Sequence, residues 1–155
     1  MIPKADATDG TNNTLSWGKN LHGLDVPNLE NLSLDTEKKA DYNGKANTAA
    51  IIAGYTTLGI DMVNRDMCKV LETYNEGGYT DWYIPACGQL YEIYTNVTDI
   101  NTALTNIGGT AFISKEYWSS SESSSSFGGG VHFGEGEVYG YGKASVRQVR
   151  FIRDI

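Results

Sequence analysis

Cations are scarce in this sequence: 12 Lys and Arg face 19 Asp and Glu, for a net charge of −7. Phosphate backbones and anionic bilayers are held by clustered positive charge, so nucleic acid and direct membrane adsorption are excluded as expected partners. No run of about 18 apolar residues is present, so no helical span is expected. The N-terminus lacks a basic-then-apolar leader pattern, and Met1 followed by polar sequence reads as an expression start after loss of a leader or a longer segment. Histidine is limited to His22 and His132 and cysteine to Cys68 and Cys87. That set has no zinc spacing and no local nucleophile motif, so no metal, cofactor or catalytic residue is expected. Two cysteines form no disulfide framework; they read either as one bridge or as two buried thiols packing as small apolar groups.

Glycine (18) and tyrosine (10) are abundant instead. Residues 1–40 are polar and turn-rich, and read as a segment wrapping the domain, with Trp17 and Leu21 as its apolar anchors. Helical spacing of Val63, Met67, Val70, Leu71 and Tyr74 places a helix over 47–75, capped by Asn47 or Thr48 and weakened near Gly54 and Gly59. Residues 79–84 read as a strand. Pro85 then opens a second helix, with Leu90, Ile93, Tyr94, Val97, Ile100 and Leu104 on its apolar face, closing at Gly108-Gly109.

Beyond residue 110 the period becomes two. Strands are expected at 116–120, 129–133, 137–142 and 146–152, the last central because it is apolar on both faces. A serine-rich surface loop is expected over 121–127 and a hairpin turn at Gly134-Glu135-Gly136. Helices followed by an antiparallel meander make the fold class α+β, with one domain over 1–155.

Three segments carry a family resemblance. They are Asp41-Tyr42-Asn43-Gly44-Lys45-Ala46-Asn47-Thr48; Gly77-Gly78-Tyr79-Thr80-Asp81-Trp82-Tyr83-Ile84-Pro85 with Leu90 and Tyr94; and Tyr117-Trp118-Ser119-Ser120-Ser121-Glu122 with Val131-His132-Phe133 and Val146-Arg147-Gln148-Val149-Arg150. From about residue 40 onward the chain resembles the bacterial domain family named for the C-terminal region of a collagen-like surface adhesin. It departs from that pattern at Gln89, Cys87 and Gln148. The resemblance implies a C-type-lectin-like fold, two helices on a mostly antiparallel sheet with a long loop-rich region, in secreted, cell-surface or virion-surface proteins. Lectin calcium signatures are absent, so calcium-dependent sugar binding is not implied.

Some domains of this kind are variable proteins of diversity-generating retroelements, in which adenines of chosen codons near the gene's 3′ end are rewritten. Residues 119–145 have that look, with a mixture of Ser, Gly, Tyr, His, Phe and Ala that suits a paratope. The ligand-contact residues expected on this basis are Trp118, Ser123, Ser124, Ser125, Ser126, Phe127, Gly129, His132, Tyr139, Tyr141, Ala144 and Ser145. Against that stand bland alternatives: Trp118 as core, Tyr139 and Tyr141 as sheet cover, Glu122, Glu135 and Glu137 as solvated loop charge, Asp41, Asn43 and Gly44 as a helix entry, and Arg147, Arg150 and Arg153 as partners of surplus carboxylates. The function implied is binding of a protein or glycan on another surface. The rivals are an assembly module of a pilus or tail tip with one fixed partner and, less favoured, an enzyme using a cysteine.

Overall fold

A computed structural model describes residues 1–155. The elements are β1 (Leu15–Ser16), α1 (Asp35–Ala40), α2 (Gly44–Leu58), α3 (Met67–Leu71), α4 (Cys87–Thr95), α5 (Val97–Asn106), β2 (Glu116–Glu122), β3 (Phe127–His132), β4 (Glu137–Gly142) and β5 (Val146–Arg147). The α+β class holds: five helices precede an antiparallel β2-β3-β4 sheet, and β1 pairs antiparallel with β5. None of the helices is long and apolar enough to cross a membrane.

Several elements differ from their sequence-based outline. The 47–75 helix is two helices, because Gly59 takes a left-handed conformation (φ 65°) that ends α2 and starts a loop. Helix α2 begins at Gly44, so Thr48 is not its cap; the Thr48 hydroxyl donates to the Gly44 carbonyl (2.7 Å) and accepts from the Ile84 amide (3.1 Å). The second helix breaks at Asn96 into α4 and α5. Residues 79–84 form no strand; Tyr83 alone pairs with Ile152, through two 2.8 Å backbone bonds. The 146–152 strand is likewise short, and continues only as single bridges at Gln148 and Ile152.

The N-terminal segment does more than wrap. Ala7, Leu15, Trp17, Leu21 and Val26 are buried in the main apolar cluster with Ile51, Tyr55, Met67, Trp82, Ile84, Trp118, Val149 and Phe151. A second cluster joins Leu90, Leu104, Phe112, Tyr117, Val131, Phe133 and Val138. The two meet across β2, whose alternation sends Tyr117 to one side and Trp118 to the other. Asp66 is a buried polar hub for the first cluster. Its carboxylate accepts from the Ser16 hydroxyl (2.6 Å), the Tyr55 hydroxyl (3.0 Å) and the Lys19 and Val63 amides (both 2.9 Å). Such saturation is what keeps a buried carboxylate tolerable.

The expected serine-rich loop is in part a strand. Two extra residues bulge β2 between Trp118 and Glu122, and Ser119, Ser120 and Ser121 are fully buried there. Their hydroxyls are consumed inside: Ser119 donates to the Gly129 carbonyl (2.8 Å), Ser121 to Asp41 (2.6 Å) and Ser120 to the Gly44 carbonyl (3.4 Å). Small hydroxyl side chains let the bulged strand lie against the start of α2 while satisfying the polar groups it exposes.

Candidate functional site

The β3–β4 hairpin organises the candidate surface. Its register pairs Gly128 with Tyr141, Gly130 with Tyr139 and His132 with Glu137, so these six share one face. Val131 and Val138 point the other way into the second cluster. Gly136, at φ 75°, makes the turn. On the shared face the glycines leave room for rings. A Cβ on Gly128 would collide with the Trp17 indole, and one on Gly130 would lie 2.6 Å from the Tyr117 carbonyl and 2.9 Å from the Tyr141 ring. The tyrosine rings stand 5.8 Å apart at 51°.

The expected contact residues separate into three groups. Phe127, Tyr139 and Ala144 are exposed, Phe127 by 47 % and Tyr139 by 40 %. Ser123, Ser124, Ser125, Ser126, His132, Tyr141 and Ser145 are half-buried. The serine turn is tied down: the Gly23 amide donates to the Ser125 carbonyl (2.9 Å) and the Lys143 amide to the Ser126 carbonyl (3.0 Å). Tyr141 packs edge-on against Trp118 (5.7 Å), with the Arg147 guanidinium 4.5 Å from its ring.

Trp118 and Gly129 are fully enclosed and offer a ligand nothing, which corrects their place in the contact set. Trp118 sits in the first cluster and donates its indole N–H to the Leu15 carbonyl (2.8 Å). Gly129 leaves no space for any side chain, since a Cβ would lie 2.9 Å from Cys87 Sγ and 3.2 Å from the Ser121 carbonyl.

The carboxylates divide as sharply. Glu122 is not solvated loop charge: it is 0 % exposed, 3.3 Å from the equally enclosed Lys143 ammonium, and accepts from the Val26 amide. Lys143 also donates to the Leu24 carbonyl (2.8 Å) and lies 4.9 Å from the Trp17 ring. Burial pushes the Glu122 carboxyl up and the Lys143 ammonium down, and each is pulled back by the other's charge. Glu135 and Glu137, by contrast, are exposed beside the tyrosines. The Tyr139 hydroxyl donates to Glu135 (2.8 Å), and that bond raises its pKa. His132 accepts from the Gly134 amide at Nδ1 (3.1 Å), leaving Nε2 turned toward Glu135 (3.9 Å) and Glu116 (4.0 Å).

Elsewhere, two of the three C-terminal arginines have carboxylate partners. Arg150 bonds Asp6 (2.6 Å) and Arg153 bonds Asp81 through two contacts (2.8 and 3.0 Å). Arg147 has no carboxylate partner; it donates to the Val146 carbonyl and stacks on aromatics. Asp41 closes a turn by accepting from the Asn43 amide (3.0 Å), as a helix entry does. Cys68 and Cys87 are free and buried, and burial drives both thiols up, Cys87 to about 11. No group of three or more His, Cys, Asp or Glu comes together in a way that could hold a metal. The paired Glu122–Lys143 and the Asp66 hub had no local signature in the sequence, because both depend on residues far apart in the chain.

No family model matches the sequence, and no curated protein matches it. Among solved structures, the chain is similar to part of a fimbrial protein from Bacteroides ovatus ATCC 8483, with a TM-score of 0.61 at 20% identity. The likeness covers 84% of this chain and 28% of that one, so the chain spans under a third of that protein's length. At this identity the likeness concerns fold alone.

Proposed function

We propose that the chain is a non-catalytic binding domain of C-type-lectin-like type, displayed on a cell or virion surface, whose β3–β4 hairpin face and adjoining loops contact a protein or glycan ligand. One observation carries the reading. Tyr139, on the shared face, and Phe127, at the start of β3 on the opposite side of the ladder, project into solvent from a hairpin whose backbone is braced by Trp17, Trp118 and the buried Glu122–Lys143 pair. Aromatic anchors on rigid backbone lose little entropy on binding. The motif resemblance supports membership of the collagen-like adhesin C-terminal domain family and, within it, diversification of exposed codons by a retroelement. Saturated buried carboxylates and thiols held in their neutral form favour binding over catalysis.

A second reading is favoured by the fimbrial likeness: an assembly module whose fixed partner is a neighbouring subunit. The two readings part on where the contact lies and whether it varies.

The test uses beads coated with the chain and offered to cells of the source community. Phe127→Ala with Tyr139→Ala is expected to abolish retention while unfolding stability stays within about 0.5 kcal/mol, as for exposed positions generally. Tyr141→Ala, half-buried against Trp118, is expected to cost about 1–3 kcal/mol. Equal retention by the double variant removes the hairpin from the contact.

A further inference from the structure

Four times this chain seats a cation between an aromatic ring and a carboxylate. Arg153 lies 3.8 Å from the Tyr79 ring and pairs with Asp81; Arg150 lies 4.2 Å from the Phe112 ring and pairs with Asp6. Lys143 sits between Trp17 and Glu122, and Lys39 between Tyr91 (4.4 Å) and Glu137 (3.9 Å). Ring quadrupole and carboxylate attract the same positive charge, and the planar guanidinium satisfies both at once.

On the hairpin face Tyr139 and Glu135 repeat the ring and carboxylate with no lysine or arginine between them, while Glu137 beside them is shared with Lys39. Tyr139 is exposed, its hydroxyl bonds Glu135, and Glu137 lies two residues away on the same face. Glu116 and Asp35 add further negative charge to the Tyr139–Tyr141 surroundings. The facing cations are already engaged: Arg147 stacks on Tyr141, and Lys39 is drawn to Tyr91 and Glu137. Neither covers the Tyr139 ring, and the side chains of Glu135 and Glu137 remain 54% and 55% exposed.

We propose that the Tyr139–Glu135–Glu137 face receives an arginine side chain projecting from a partner protein. This rests on the reading of the hairpin as the recognition surface and gives the ligand its chemistry: a basic protein surface, which a face of this charge attracts, in place of an acidic glycan, which it repels. Tyr139 supplies the stacking surface and Glu135 the paired acceptor; Glu137 adds long-range attraction.

The experiment titrates the intact chain, observed by NMR, with acetyl-Gly-Arg-Gly-amide and with its citrulline counterpart, which keeps the shape and loses the charge. The arginine peptide is expected to shift resonances of Tyr139, Glu135 and Glu137, and the citrulline peptide to leave them in place. Glu135→Gln with Glu137→Gln, both at exposed positions, is expected to weaken the arginine peptide by about five-fold or more. Equal response to the two peptides overturns the proposal. So do shifts spread evenly over distant carboxylates such as Asp61, Glu72 and Asp99, or full binding by the glutamine variant. If bead retention still depends on Phe127 and Tyr139 while the arginine peptide shows no preference, the hairpin remains the recognition surface and only the arginine assignment falls.

Discussion

Replacing Lys143 by Ala lowers the stability of the chain by about 3–5 kcal/mol, read as a fall in the urea midpoint at unchanged slope. The magnitude follows from what remains. Glu122 is fully enclosed, and once the ammonium is gone its charge keeps only the Val26 amide as a donor. The Leu24 carbonyl also loses its side-chain partner. The cost is that of an uncompensated buried charge rather than of the pair itself. Replacing both partners, Glu122→Leu with Lys143→Met, is therefore expected to recover most of the loss. A single-variant loss below about 1 kcal/mol would show that water reaches Glu122 and that the pair does not brace the hairpin.

The second large effect is at Gly130. Gly130→Ala is expected to cost about 3 kcal/mol, at the upper end for overpacking, because the added methyl meets the Tyr117 carbonyl at 2.6 Å and backbone cannot step aside. Gly140→Ala, on the opposite face, is expected to stay within about 0.5 kcal/mol. Its neighbours are the Ser123 hydroxyl at 3.0 Å, which can rotate away, and the Cβ atoms of Ser123 and Phe127 at 3.3 and 3.4 Å, which need give only slightly at the exposed edge of the loop. Thermal or urea unfolding of the two variants side by side checks the contrast. Similar costs at both positions would mean that the glycine ladder of β3 is compositional accident rather than the seat for Trp17 and Tyr141.

These two positions also show what was legible in the sequence. The period-two pattern from residue 116 onward located the meander, and Gly134-Glu135-Gly136 located its turn, because strand alternation and turn chemistry are local. Tyr139 and Phe127 were expected as contacts from the paratope-like composition of the stretch, and both lie exposed. Ser121 and Glu122 read as part of a solvated surface loop because composition carries no information about a partner 20 or 80 residues away. Ser121 bonds Asp41 and Glu122 pairs with Lys143, and only the assembled sheet brings them together. Trp118 and Gly129 lay in a stretch rich in paratope-like residues, yet both face inward. Trp118 is held by the Leu15 carbonyl, about a hundred residues earlier, and Gly129 is closed in by Cys87 and the bulge of β2, so both enclosures depend on β2–β3 register and on distant segments. Residues 79–84 had strand composition but found only Ile152 as a partner, since β-propensity needs a neighbouring strand to be realised.

The central claim is that a fixed scaffold presents a changeable surface, and deep amplicon sequencing of codons 115–155 from the source population tests it most directly. The account predicts adenine-derived changes at exposed or half-exposed positions such as Ser123, Phe127, His132, Tyr139 and Ala144. It also predicts constant codons for Trp118, Glu122, Gly128, Gly129, Gly130 and Lys143, where packing or the buried ion pair forbids change. Uniform codons throughout, or variation falling on the enclosed positions, would contradict it and leave a fixed assembly contact as the better reading.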